Sequence, residues 1–491
     1  MTAPTAPATD LAVRKPPPPT WSWRGPTRVP GAAVLVALFA AAAVGAAALP
    51  LDRVGVGWLI AGTASILALA VTHRKVTWRQ AAWGAATLAL LGVGSVRAAA
   101  WLFVLCVLTA AITGALSLLD PRDLRTILAA VVVPLAAAAR ALPWVRAGLR
   151  TRFAGRPGVP TRVVAVSAVS LVLLLVFGAL FASADAVFAA LVDRMLPVLD
   201  GGAFARALVL FPVLFALLAG AAFTLVGPPA MTQHDQQTRF AFRRLDWAIP
   251  VALLDLLFLA FVAVQATVLF GGSRHVLGAG GPTFADYARG GFWQLLAVTG
   301  LTLVVVAIAG RWAPRTDRAD RATIRVLLGA LALLALVVVA SATYRMNVYE
   351  QAYGYTRLRV LVMAVELGLG AVFLAVLVAG VRLRGAWLPP AVLAIATGGL
   401  LALAVLNPDR FIADRNVDRY LATGRIDLSY LGTLSADAVP ALDRLPADHC
   451  ACLLRRVAAD LADRPDDWRS ANLARHQARA LLARDQPGTC R

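Results

Sequence analysis

The chain has 491 residues, of which 59% are hydrophobic and only 15% charged, and its formal net charge is +20. Soluble domains run near half apolar and a quarter charged, and the repeated apolar stretches of about 20 residues match a hydrocarbon layer roughly 30 Å thick. A soluble enzyme is excluded, and so is a β-barrel, which would show alternating ten-residue segments.

The positive charge does not mark a nucleic-acid binder. The basic residues are nearly all arginine, with lysine only at Lys15 and Lys75, and most sit in connections between apolar stretches. That is the arrangement of positive-inside topology. A nucleic-acid protein would carry them on one face of a recognisable module.

Residues 1–28, "MTAPTAPATDLAVRKPPPPTWSWRGPTR", are polar and proline-rich. The run Pro16 to Pro19 favours an extended polyproline conformation, so this stretch reads as a disordered cytoplasmic arm and not as a signal peptide. Residues 29–160 then hold apolar segments at 31–50, 54–72, 80–96, 98–118 and 124–139, followed by a basic stretch. Residues 161–406 hold seven more, at 163–190, 205–226, 247–270, 291–310, 325–343, 358–381 and 387–405. The fold class is therefore an all-α polytopic membrane bundle.

The segment 124–139 decides the topology. If it crosses, Arg140, Arg146, Arg150, Arg152, Arg156 and Arg162 are all exported; if it stays at the inner interface, every later basic loop sorts inward. The orientation rule favours the second case, and Pro134 suits a broken or tilted element. The expectation is about eleven spans in the cell membrane, with a cytoplasmic N-terminus and an extracytoplasmic C-terminus; the alternative is twelve spans.

Residues 407–491 are too polar to span. "SADAVPALDRL", "CACLLRRVAADLADR" and "DDWRSANLARHQARALLAR" show three- and four-residue apolar spacing, which predicts a small helical domain with Ser435 and Asp466 as N-caps. Arg475, His476 and Arg479 read as its solvated face. An oxidising exterior would permit a disulfide between Cys452 and Cys490; a cytoplasmic tail would keep both and Cys450 reduced. The spacing is poor for zinc, and no metal or cofactor is expected.

The unusual chemistry collects near the outer side. Asp185 and Gln265 lie toward outer span ends, and "YRMNVYEQAYGYTRLR" (344–359) joins two apolar runs at an elbow. There Gly354 can end one helix and Thr356 can cap the next, leaving Glu350 to pair with Arg357 or Arg359. Two readings stand. Arg345, Tyr349, Glu350, Tyr353, Arg357 and Arg359, with Asp185 and Gln265, form a substrate site in which the arginines recognise an anion; or the elbow is an internally satisfied turn with tyrosines at the membrane boundary. Deeper in the spans lie Asp255 and Glu366. Ionisable groups there cost several kcal/mol unless paired, neutral or hydrated, so they read either as a proton or ion relay or as neutral interhelical hydrogen-bonding acids.

Several stretches, "RMNVYEQAYGYTRLR", "VFGALFASADAVFA", "LDLLFLAFVAVQATVLFGG", "YARGGFWQLL" and "NPDRFIADRNVDR…DLSYLGTLSADAVPAL", resemble the bacterial multi-pass membrane family called domain of unknown function 4173. The likeness covers roughly residues 160–475, and Tyr355 departs from the Leu of the family pattern. The resemblance implies an integral membrane protein and supplies no reaction.

No GxxxxGK[ST] loop, HExxH or GxSxG motif occurs, so signs of an ATPase, metalloprotease or serine hydrolase are missing. Three functions remain. The first is a transporter or lipid-handling permease with an extracytoplasmic polar cavity and a small-molecule or lipid ligand. The second is a membrane-embedded transferase using a lipid-linked donor, for which Asp52 would be the first-loop carboxylate. The third is a non-catalytic scaffold or sensor whose tail binds a protein partner.

Overall fold

The structure is a computed structural model. It describes residue 23, residues 25–72, 76–119 and 124–153, isolated residues between 170 and 188, and residues 201–228, 243–270, 284–315 and 317–484. Every regular element among the described residues is helical. Lipid offers no partner for backbone N–H and C=O groups, so each apolar segment must satisfy them internally. Eight of the helices are long and apolar enough to cross a membrane, and two shorter ones are also apolar.

The helices α1 (Ala32–Ala48), α2 (Gly57–Thr72), α3 (Trp78–Val96) and α4 (Ala100–Leu119) run up and down. Ile66 of α2 lies over Gly84 of α3 and Leu91 over Gly62, which sets this pair antiparallel. Gln80 Nε2 donates to Leu118 O at 3.3 Å, and the Thr87 and Thr113 hydroxyls meet at 2.8 Å, so α3 and α4 are antiparallel too. The start of α1, the end of α2, the start of α3 and the end of α4 therefore share one end of the bundle, here the basal end.

Helix α5 (Leu124–Phe153) is 30 residues long and continuous through Pro134 and Pro143, so of the two forms expected there, broken or tilted, the break does not occur. Its segment 130–151 is long and apolar enough to cross. It packs along α6 (Gly201–Val226), and contacts near both its ends lie at the basal end. Ile127 and Ala130 pack with Leu116 and Leu119 at the end of α4. Trp144 Nε1 donates to Arg28 O at 2.8 Å, and Gly148 lies against Pro30, just before α1. Helix α6 ends there as well, where Trp23 Nε1 donates to Gly227 O at 2.7 Å. Position 220 in α6 must be glycine for this packing, because a Cβ would sit 2.6 Å from Pro134 O and 2.7 Å from Ala138 N. The predicted span 163–190 lies largely outside the described residues, so the total number of crossings rests on a segment not described.

The second group comprises α7 (Arg244–Phe270), α8 (Phe284–Trp312), α9 (Arg318–Tyr353), α10 (Arg357–Arg382) and α11 (Leu388–Leu406). Helices α7 and α9 run parallel, tied by Arg244 Nε to Asp320 Oδ1 at 2.6 Å and, near their other ends, by Arg345 Nη2 to Gln265 Oε1 at 2.7 Å. Helices α9 and α10 form a hairpin about the elbow at 354–356. Leu331, Ala335, Val338 and Ala342 of α9 pack with Val362 and Phe373 of α10 and Val251 and Phe258 of α7.

Residues 407–484 cap the end of the bundle opposite the basal end. Pro408 opens α12 (Pro408–Thr423); single turns follow at 428–431 and 436–442, then α13 (Ala447–Asp463) and α14 (Leu473–Leu482). The cap is not a peripheral appendage. Its Ile412, Val417, Leu431, Val439 and Leu442 share one apolar core with Leu90, Leu102 and Cys106 of α3 and α4 and with Leu403 of α11. Polar bonds add to this: Val56 N–H donates to Ala471 O, Gly57 N–H to Arg469 O, and Asn472 Nδ2 to Gly94 O and Arg97 O.

Two expectations for the tail are corrected and a third is met in position only. Asn472, not Asp466, caps α14, accepting from Arg475 N–H at 3.1 Å. Ser435 stands at the N-cap of the turn at 436–438 as expected, but its hydroxyl donates to Asp437 Oδ2 at 2.9 Å and makes no capping bond. Arg475 is not on a solvated face: it is 5% exposed and donates to Asp466, Ser470 O and Val54 O. Asp466 has a use that outranks capping, because it also takes Arg479 at 2.6 Å. His476 is exposed. Cys490 lies outside the described residues, as does any bond from Cys452 to it.

Candidate functional site

The elbow is built by backbone geometry first. Gly354 adopts φ +83° and its N–H donates to Glu350 O at 2.8 Å, ending α9. Thr356 Oγ1 accepts from Arg359 N–H and starts α10. Between them Tyr355 is held by a side chain acting as a second strand: Asn416 of α12 accepts from its N–H and donates to its carbonyl, both at 2.9 Å. Arg419, one turn further along α12, donates to Ala352 O at 2.8 Å.

The elbow arginines are occupied within the chain. Arg357 makes a bidentate pair with Asp409, Nε to Oδ1 at 2.8 Å and Nη2 to Oδ2 at 2.6 Å. Asp409 is 0% exposed and also accepts from Ser435 N–H at 2.9 Å and the Trp101 indole at 3.1 Å. Arg357 N–H donates to the Tyr430 hydroxyl at 2.6 Å. Arg359 reaches back to Tyr353 O and Gly354 O, with its guanidinium 4.4 Å from the Tyr349 ring centroid. The Tyr349 and Tyr353 rings lie 4.9 Å apart. Arg345 is bonded to Gln265. The structure thus brings Arg345, Tyr349, Glu350, Tyr353, Arg357, Arg359 and Gln265 to one end of the α7–α9–α10 group. Asp185 is exposed, and its Oδ1 accepts from Phe188 N–H at 3.1 Å.

The electrostatics around Asp409 follow from these partners. Burial by itself would raise its carboxyl, but the Arg357 bonds and the Ser435 N–H hold it below its ordinary value. Asp437, close by, has the opposite balance. Burial raises it, although the Ala98 N–H and the Ser435 hydroxyl work the other way.

The expected pairing of Glu350 with Arg357 is replaced by the Asp409 pair, and Glu350 Oε1 is left buried without a hydrogen-bond partner. The same is true of both carboxyl oxygens of Glu366, which is 0% exposed, of both oxygens of Asp255, and of Thr343 Oγ1. These groups stand at successive heights along α7, α9 and α10. Gly370 of α10 packs on Val339 of α9, so Glu366 is level with about residue 343. Glu350 is then about 10 Å nearer the elbow, at 1.5 Å per residue. Asp255 lies midway between the two α7–α9 ties, level with about residue 333 and about 15 Å further in. Glu366 shares its helix face with Val362, Gly370 and Phe373, and Glu350 continues the stripe of Val339, Ala342 and Met346. Both acids therefore lie on buried helix faces and not toward lipid. No group of metal-ligating side chains occurs among the described residues.

Sequence reasoning missed Asp409, Asn416, Tyr430 and Trp101, the residues that hold the elbow. For Asp409 and Asn416 the signal was the stretch "NPDRFIADRNVD", where Pro408 marks a helix start and Ile412, Asn416 and Val417 are at helical spacing.

No curated protein and no solved structure matches this chain. A family match covers residues 85–445, nearly three-quarters of the chain. Its number differs from that of family 4173, which the elbow motifs resemble, and it begins earlier, inside α3. The membrane nature expected from the resemblance agrees with the apolar helices. The chain belongs to the family described as domain of unknown function (DUF4153).

Proposed function

We propose that this integral membrane protein is a transporter or lipid-handling permease whose polar path runs along α7, α9 and α10 and opens at the elbow. The observation that carries the reading is Glu366: a carboxyl group wholly buried in a membrane helix, with neither oxygen bonded. An ionised carboxylate with no partner at such depth costs several kcal/mol. Such a group takes up a proton, or meets a cation or water brought to it in part of a cycle. Asp255, Thr343 and Glu350 also have unpartnered buried oxygens, at heights level with it or to either side. Asp255 and Glu366 would relay protons or ions, and the elbow residues, with Gln265, would line the mouth. The arginines there act chiefly as framework, since Arg357 and Arg359 already have partners.

The orientation that goes with this reading puts the elbow and the cap outside and the basal end in the cytoplasm. Arg28, Arg79, Arg146, Arg244 and Arg311 all belong to basal-end segments, as the orientation rule requires of an inner face. The transferase alternative gains less, because Asp52 is exposed in the 49–56 connection.

The test is water access. In a chain with its four native cysteines replaced, single cysteines at 255, 343, 350 and 366 are treated with a small charged thiosulfonate reagent in proteoliposomes. Reaction at 255 and 366 that varies with pH or with the side of addition is expected. Protection of both positions under every condition would sink the permease reading.

A further inference from the structure

We infer that α5 lies across the basal end in the plane of the membrane and that its arginines bind the phosphate headgroups of anionic lipids in the adjacent leaflet. A 30-residue helix is about 45 Å long. If α5 crossed the bilayer, its two halves would meet neighbours at opposite ends of the bundle. Instead the first half packs on the end of α4 and the second on the chain entering α1.

The exposed surface of α5 is apolar in its first half and mixes arginines with Leu142 and Leu149 in its second. Leu128, Val132 and Leu135 are exposed at helical spacing in the first half and suit acyl chains. In the second half Arg140, Arg146 and Arg150 are exposed, and Arg28 is exposed next to them, beside the Trp144 indole. None of these four side chains makes an ion pair or hydrogen bond among the described residues; Arg140 stacks on Trp23 at 5.3 Å. Trp23 and Trp144 each bond an indole N–H to a backbone carbonyl. That is the residue type and bonding found at the headgroup level. No Asp or Glu occurs in α5, in α6 or in residues 23–30. No carboxylate stands on the elements that form the patch, which favours an anionic partner from outside them. Guanidinium groups match phosphate oxygens in geometry and charge, and basic residues at a membrane surface draw anionic lipid.

This inference does not depend on the permease reading. The full chain in neutral detergent is titrated with phosphatidylglycerol, with phosphatidylcholine and with inorganic phosphate, and thermal unfolding is followed. Phosphatidylglycerol alone should raise the melting temperature, and Arg140→Gln/Arg146→Gln/Arg150→Gln should move the midpoint of that titration about a hundredfold higher, in keeping with the summed attraction of three arginines. Equal stabilisation by phosphatidylcholine or by inorganic phosphate would overturn the proposal, as would a triple variant that titrates like the parent. If the triple variant does not fold, Arg146→Gln/Arg150→Gln carries the test, since those two side chains have no described partner. An unshifted midpoint for the double variant refutes the proposal.

Discussion

Asp409 shows how much can rest on one carboxylate. It takes two guanidinium nitrogens of Arg357, the Ser435 N–H and the Trp101 indole, and so links α10, α4 and two parts of the cap. Removing one member of a buried, well-bonded ion pair leaves the other uncompensated, at about 3–5 kcal/mol. Asp409→Asn should lower stability by about 3 kcal/mol in denaturant unfolding, and Arg357→Lys should recover only part of the pair, because lysine lacks the bidentate fork. The pH dependence has a definite sign. A carboxyl held below its ordinary value contributes fully above the unfolded pKa of about 4 and loses that contribution as pH falls through the folded value. Asp437 works in reverse: its raised folded value means a penalty that grows as pH rises from about 4. Asp437→Asn keeps an acceptor for the Ala98 N–H and should melt higher than the parent at pH 7, with the difference vanishing near pH 3.

At the scale of elements, the elbow was half legible. Gly354 as terminator and Thr356 as cap follow from local chemistry, and both stand in the structure. The clamp by α12 does not follow, because Asn416 lies 61 residues from the Tyr355 backbone it binds. Gly354→Ala should be costly twice over. The φ of +83° is strained for any residue with a Cβ, and that Cβ would stand 2.6 Å from Asn416 Oδ1. Strain of this kind costs about 1–3 kcal/mol, and limited proteolysis should cut the cap of Gly354→Ala faster than that of the parent. Helix α5 teaches the opposite lesson. Pro134 pointed to a broken or tilted element, and the helix runs unbroken through it. Gly220 lets α6 approach closely beside that proline.

For the whole molecule, the cap is part of the core. It meets the 49–56 connection through Arg475, the α3–α4 connection through Asn472 and Asp437, and the elbow through Asn416 and Asp409. Truncation after residue 406 should therefore leave no stable bundle, read as loss of the monodisperse peak in size exclusion. The proposed orientation predicts that cysteines at exposed positions 51 and 476 react with an impermeant maleimide on intact cells. A cysteine at position 146 should react only after lysis. The reverse pattern would invert the topology.

The sequence by itself determined that this is a helical membrane protein and which segments are apolar enough to lie in lipid. That is a local property: each segment partitions according to its own side chains and closes its own backbone hydrogen bonds. Only the tertiary structure decided which charges meet. Arg357 could have faced a ligand or Glu350, and it faces Asp409, 52 residues on; Arg475 reads as a surface residue and is buried against Val54 O, 421 residues away. Such choices depend on how the ends of separate helices come together, and spacing along the chain carries no record of that.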